Sequence, residues 1–239
     1  MSKITTEKQD NFIDSEKVSK IKVKIYGLGS IGSILAQQLA LTGFTDITGY
    51  DMDTVDSDNV GSQLYTKNEV GIKKTEALKK LLKDWYDYDI ETIEGEITKD
   101  TQILPEENTI YFCAFDSLEA RQIVWEKLKD MPVIWGESRI GRSAQRFYFV
   151  DLKDDSEPNK EWIKNYEESL NPNGPRIELK CGDKGCFSSN AELVSKIVKQ
   201  MVNIAENKPL ATMMIGDWGT PPPIFIAPTE EVPGKVEYD

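Results

Sequence analysis

The 239-residue chain carries 29 lysines and arginines against 41 aspartates and glutamates, a formal net charge of −12, and it contains no histidine. Without imidazole it cannot build a Ser-His-Asp or Cys-His nucleophile pair, a His-ligated zinc or haem, or a general base whose unperturbed pKa lies near neutrality. So acidic a surface also argues against nucleic-acid binding and docking on an anionic membrane, since no dense basic patch offsets it.

The length suggests one large domain, and a content of 39% hydrophobic and 29% charged residues suits a globular protein with a real core. No apolar stretch approaches the roughly 20 residues of a membrane span. The polar segment 1–16 does not read as a signal peptide, and three cysteines, Cys113, Cys181 and Cys186, are too few for a secreted disulfide framework. The expected compartment is the cytoplasm.

Residues 1–20 read as a flexible arm or short docking segment. A β-branched run at 22–26 then ends in Gly27-x-Gly29-x-x-Gly32, after which Ile34, Leu35, Leu39 and Leu41 recur at helical spacing as far as Gly43. This is strand, glycine turn and helix, with Gly43 as the helix C-cap. Residues 47–50 form a second strand stopping at Asp51; 53–70 read as a loop; and 71–85 form a helix with Leu78, Leu81, Leu82 and Trp85 on one face. A third strand is expected at 90–97. The nearly all-apolar 109–114 is a strand buried on both faces, Ser117 caps a helix running to about 129, and 132–135 is a fifth strand.

Beyond 145 the rhythm changes. Residues 147–150 are strand-like, 153–175 form a polar excursion with one short helix near Trp162, and 182–185 form a turn. A helix occupies 191–205, and strands at 213–215 and 224–226 flank the prolines at 221–223. The expected fold is α/β: a Rossmann-like, doubly wound, mainly parallel sheet with antiparallel C-terminal strands. One domain spans 21–228, in two parts at 21–150 and 151–228 of which the second completes the first one's sheet, with an acidic tail at 229–239.

The glycine turn lies between strand and helix, where Gly27 permits the turn, Gly29 lets backbone approach a phosphate and Gly32 lets the helix pack on the strand. Backbone N–H groups and the helix dipole favour an anion there. Asp51, 19 positions after Gly32 and ending the second strand, suits ribose hydroxyls. At this point a nicotinamide dehydrogenase and an ATP enzyme are equally allowed. The segments beyond Asp51 carry more charge than a dehydrogenase needs: Asp53, then Asn59 and Gln63, then Lys74 entering a helix, and Asp116 ending the strand expected beside the first. Singly, Asp53 and Asp116 could be caps and Lys74 a surface lysine. Jointly they are the components of a Mg-ATP site.

This order of motifs resembles the ThiF/MoeB/HesA adenylyltransferase family, of the standalone type, whose fold is shared with ubiquitin-activating enzymes. The residues that carry the resemblance are Gly27-Leu-Gly-Ser-Ile-Gly-Ser33, Tyr50-Asp-Met-Asp-Thr-Val55, Asn59 with Gln63, Gly71-Ile-Lys-Lys74, and Phe115-Asp-Ser117 with Arg121. The resemblance implies an enzyme that uses ATP and Mg²⁺ to activate the C-terminal carboxylate of a small ubiquitin-like or sulfur-carrier protein as an acyl-adenylate, releasing pyrophosphate. It implies that Gly27, Gly29 and Gly32 hold phosphate, Asp51 the ribose, and that Asp53, Asn59 and Gln63 organise both. Lys74 would neutralise phosphate charge and Asp116 would bind Mg²⁺. Arg139, within Gly136-Glu-Ser-Arg-Ile-Gly141, would sit near the site. A homodimer is the implied assembly.

Two departures accompany it. Asn59-Val-Gly-Ser62-Gln63 has serine where the family places a phosphate-contacting arginine, and the N-terminal segment holds no arginine. Many relatives bind zinc through two Cys-x-x-Cys pairs, whereas Cys181 and Cys186 alone cannot form a four-thiolate site, so no zinc is expected. Either could be a thioester nucleophile, whereas Cys113 belongs to the core. Two alternative functions stay open: a catalytically weak scaffold that binds a partner, motivated by Ser62, and an NAD(P)-dependent dehydrogenase.

Overall fold

In the computed structural model, residues 9–141, 144–171, 185–217 and 224–226 are described. They build one eight-stranded sheet in the order β3-β2-β1-β4-β5-β6-β7-β8. Its parallel part comprises β1 (Lys22–Tyr26), β2 (Asp46–Asp51), β3 (Glu91–Glu94), β4 (Thr109–Cys113) and β5 (Ile134–Gly141). Its antiparallel part continues from β5 through β6 (Ala144–Asp151), β7 (Met213–Asp217) and β8 (Ile224–Ile226). The order reverses at β1, where β2 and β3 lie to one side and β4 to the other. Tyr26 is in register with Tyr50 and with Cys113, so the C-terminal ends of β1, β2 and β4 share one edge, past which β5, with Glu137 opposite Cys113, continues to Gly141. Such a switch point is where open α/β sheets place ligands.

Alternation along the strands distributes the core between two faces. Ile110 and Phe112 of β4, with Phe147 and Phe149 of β6, join one cluster with α2 (Gly32–Thr42), α3 (Lys74–Tyr86) and α6 (Phe187–Ala205). Tyr111 and Cys113, with Tyr148 and Val150, join the other with α4 (Leu118–Leu128) and α5 (Glu157–Ser169). Gly136 of β5 must be glycine for packing reasons: a Cβ there would meet Phe112 Cδ2 at 2.6 Å and Phe149 Cε1 at 2.7 Å.

Several elements depart from the sequence-based expectation. The helix expected from 71 begins at Lys74, because Gly71 takes φ +89° and Lys73 is extended and bridged to Thr54. The strand expected at 90–97 is confined to β3 and followed by Gly95 at φ +156°. β5 runs on through Arg139 to Gly141, paired with β6 over its whole length. The short helix near Trp162 is the thirteen-residue α5, and α6 starts four residues early, at Phe187.

The described part of the N-terminal segment, residues 9–20, is largely exposed but docks on the domain. It includes α1 (Ser15–Val18), with Val18 fully buried, and the Asp14 N–H donates to Glu206 Oε1 at 2.9 Å. The turn at 182–184, the prolines at 221–223 and the tail at 229–239 lie outside the described residues. Among the described residues no helix is long and apolar enough to cross a membrane.

Candidate functional site

A cavity of about 600 Å³ opens at the C-terminal edge of the sheet, over β1, β2, β4 and β5. The glycine turn forms one wall. Gly27 adopts φ +98° and its N–H donates to Tyr50 O at 2.8 Å, which folds the chain back over β2. Gly32 is not in the lining; it sits behind the turn, where a Cβ would fall 1.8 Å from Gly27 O. Gly29 faces the open side, since a Cβ there would meet only Gln63 Nε2, at 4.0 Å. α2 begins at this turn with no side-chain cap and no acidic residue in its first turn. Its leading N–H groups and dipole therefore remain suited to an anion.

Asp51 ties the turn to the end of β2. Its Oδ2 accepts from Leu28 N–H at 2.7 Å and its Oδ1 from Asp53 N–H at 2.8 Å, leaving a buried carboxylate that lines the cavity. Lys74, the first residue of α3, pairs through Nζ with Asp53 Oδ2 at 2.8 Å, and its N–H donates to Asp53 O at 3.0 Å. Only 7% of Lys74 is exposed, so this ammonium is a fixed charge in the wall rather than a solvated surface lysine. Tyr65 braces the same corner, its hydroxyl donating to Leu28 O at 2.9 Å. Asp56 and Asn59 cap a short 3-10 turn and also line the cavity, as does Gln63, whose buried Oε1 has no partner among the described residues.

The opposite wall comes from the end of β4 and the start of α4: Ala114, Phe115, Asp116, Ser117 and Arg121. Ser117 caps α4, its Oγ accepting from Ala120 N–H at 3.3 Å. Arg121 Nη1 donates to Glu137 Oε1 at 2.6 Å and to Ser138 O at 2.8 Å, and Nη2 to Phe115 O. Among the described lining residues Lys74 and Arg121 are the cations, against the carboxylates Asp51, Asp53, Asp56 and Asp116. No group of three or more metal-ligating side chains gathers among the described residues. A divalent cation here would have to take one or two carboxylates and draw its other ligands from phosphate and water, which is the habit of Mg²⁺.

Of the residues singled out from the sequence, Gly27, Gly29, Asp51, Asp53, Asn59, Gln63, Lys74 and Asp116 line this one cavity. Arg139 does not. It lies on the face of β5 opposite the lining residues Ser138 and Ile140, its Nε bonded to Glu137 Oε1 and its two Nη atoms donating to Ser169 O at 3.1 Å and Ser169 Oγ at 3.0 Å. The period of two along a strand separates it from its neighbours. Arg121 occupies the place expected of Arg139. Sequence reasoning misses Ser138 and Glu137; the available signal is an acid and a base two apart in a strand, hence on one face.

Cys186 is exposed at the N-cap of α6, and hydrogen bonds from Ser189 hold its thiol below the usual range. It is not in the cavity lining, although the next residue's N–H donates to Gly61 O at 3.0 Å and Asn190 Nδ2 donates to Ser62 O at 3.0 Å, joining α6 to the loop that carries Gln63. Cys113 is fully buried, and burial pushes its thiol up to about 12. Cys181 lies outside the described residues.

A family model described as the ThiF family matches residues 5–177. Among curated proteins the chain is similar to ubiquitin-like modifier-activating enzyme 5 of Drosophila persimilis, with 25% identity over 143 residues, covering 54% of this chain and 37% of that protein. It is likewise similar to ubiquitin-like modifier-activating enzyme 5 of Dictyostelium discoideum, with 27% identity over 143 residues, covering 54% and 38%. The chain thus matches little more than a third of the length of these relatives. Among solved structures it resembles PaaA, with TM-score 0.68 and 19% identity over 94% of this chain and 78% of that one. It also resembles E. coli MccB with ATP, with TM-score 0.66 and 17% identity over 89% and 65%. At these identities the two structures speak for the fold.

Proposed function

The chain belongs to the ThiF family, and from that premise we propose that it is an adenylyltransferase, joining a carboxylate to the α-phosphate of ATP with release of pyrophosphate. The observation that carries this reading is the convergence, in one cavity, of an uncapped helix N-terminus, the Lys74–Asp53 pair at 2.8 Å and Asp116. The turn of Gly27 and Gly29 would cradle phosphate and Gly32 keep it shaped; Asp51 would take the ribose; Ile31, Phe115 and Ile140 offer an apolar wall for a base. Asn59 and Gln63 would complete the polar contacts.

A carboxylate oxygen attacks the α-phosphorus, a P–O bond forms, and the bond to the bridging oxygen of pyrophosphate breaks. The nucleophile is already ionised at pH 7, so no proton need move and the absence of histidine costs nothing. What the site must supply is positive charge for the departing pyrophosphate. Lys74 and the amides of the turn would provide it. Mg²⁺, with Asp116 as its protein ligand, would neutralise the phosphates. The substrate we favour is the C-terminal carboxylate of a small ubiquitin-like or sulfur-carrier protein, in keeping with the names of the curated relatives, and a homodimer is part of the same reading.

A second reading, a partner-binding scaffold without turnover, is favoured by Ser62 and by Arg121, three of whose donors are already committed to protein acceptors. Calorimetric titration with Mg-ATP, followed by ATP–pyrophosphate exchange in the presence of candidate carriers, separates the two. The enzyme binds Mg-ATP and exchanges pyrophosphate, and Lys74→Ala lowers exchange about 100-fold or more. Absence of Mg-ATP binding by the folded parent overturns the adenylyltransferase reading.

A further inference from the structure

Glu137 is wholly inaccessible to solvent, and a carboxylate can be held there only if its charge and lone pairs are matched. They are matched three times. Oε1 accepts from Arg121 Nη1 at 2.6 Å and from Arg139 Nε, and Oε2 accepts from the Tyr166 hydroxyl of α5. Behind the pair, Arg139 is clamped to Ser169 at the end of α5, and its guanidinium lies 5.1 Å over the Tyr148 ring.

The remaining bonds of Arg121 give this buried cluster a direction. Nη2 donates to Phe115 O, the carbonyl immediately before Asp116, while Nη1 donates to Ser138 O in the facing wall. One planar guanidinium therefore joins the turn that presents Asp116 to β5 across the cavity floor. Its rotation about the side chain is stopped by the carboxylate behind it. A lysine has the charge but a single nitrogen, and cannot span three acceptors in a fixed fork.

We propose that Glu137 is a positioning residue: through Arg121 it fixes the Phe115–Asp116 turn at the angle from which Asp116 meets the divalent cation carried by a nucleoside triphosphate. Arg139 and Tyr166 are the rear half of this brace. The proposal rests on the reading of the cavity as a Mg-ATP site and deepens it, because it assigns a role to residues that touch no substrate.

ATP affinity measured by calorimetry with and without MgCl₂ tests it in the full chain. The quantity of interest is the ratio of the two affinities. Magnesium strengthens ATP binding by the parent. In Glu137→Gln and Arg121→Lys that enhancement falls about tenfold, and in Tyr166→Phe, which removes only a hydroxyl, about threefold. Affinity for metal-free ATP stays within about twofold in Glu137→Gln and Tyr166→Phe, at positions that do not line the cavity, and general loosening of the fold would not allow that. If Glu137→Gln does not fold, the two milder variants decide. Parental enhancement in folded Arg121→Lys and Tyr166→Phe overturns the proposal, as does a parallel loss of metal-free affinity in Glu137→Gln or Tyr166→Phe, which would put Arg121 on the nucleotide itself. A parent that binds ATP equally with and without magnesium overturns it too, whereas a parent that binds no ATP refutes the reading of the cavity.

Discussion

A single methyl group has opposite consequences at two glycines three residues apart. On Gly32 it would lie 1.8 Å from Gly27 O and 3.2 Å from Ile25 Cγ2, so α2 and the turn would have to separate. Gly32→Ala should cost about 3 kcal/mol in urea unfolding, the upper range of overpacking. On Gly29 it would meet nothing nearer than 4.0 Å and no left-handed φ forbids it, so Gly29→Ala should change stability by less than about 0.5 kcal/mol. Its methyl group would occupy the space through which a phosphate approaches the amides, and Mg-ATP affinity should fall about tenfold. The two cysteines in the described residues divide in the same local way. Cys186 is exposed and its thiol is held low by hydrogen bonds from Ser189, whereas Cys113 is sealed in β4 with its thiol pushed up to about 12. Brief iodoacetamide treatment of the native protein should alkylate Cys186 and spare Cys113 in the peptide mass map; equal labelling would contradict the burial of β4.

Elements whose pattern is dictated by local sequence are legible without the structure: β1, α2, β2 and β4 follow from the apolar runs and the glycine turn, and with them Gly27, Gly29, Asp51, Asp53 and Asp116 at their ends. The elements that mislead are those whose polar residues are buried in pairs. The fifth strand expected at 132–135 stops short because Glu137, Ser138 and Arg139 are unlike a strand, yet Glu137 and Ser138 are buried, with the Glu137 carboxylate and the Ser138 carbonyl both bonded to Arg121. Which face each takes is fixed only by register with β4 and β6, which composition does not carry. α5 reads as short because Pro158 and Asn159 suggest a turn. Proline is tolerated in a helix's first turn, and Asn159 Nδ2 donates to Asp151 O and Asp154 O at 2.7 and 2.6 Å, anchoring the start of the helix. α6 depends on a similar polar anchor. Asn190, 1% exposed, holds Ser62 O at 3.0 Å, and Asn190→Ala should lower stability by about 1–2 kcal/mol, measured by urea unfolding, by leaving that carbonyl unpaired. No loss would mean that the loop carrying Gln63 does not rely on α6.

At the scale of the molecule, the parallel and antiparallel parts of the sheet meet at β5, and Glu137 is where α4, β5 and α5 are tied through one carboxylate. Burial pushes its carboxyl up, but Arg121, Arg139 and the Tyr166 hydroxyl outweigh burial and hold it below its ordinary 4.5. A carboxylate depressed by folding contributes stability above its unfolded pKa, and that contribution is lost as the pH falls through the folded value. The rest of this chain, with 41 acidic side chains, also titrates in acid, so the parent's own acid unfolding cannot isolate one group. Comparison with Glu137→Gln can, because every other titration is common to both chains. At pH 7 the variant leaves two arginines around a neutral amide and should be less stable by about 3–5 kcal/mol, the cost of breaking a buried ion pair. Below pH 4.5 the parent's carboxyl also becomes neutral as its depressed pKa is passed, and the two urea curves should converge. A gap that stays constant from pH 7 down to the acid limit of folding would mean that Glu137 contributes shape rather than charge to the junction, and would leave Arg121 held by carbonyls alone.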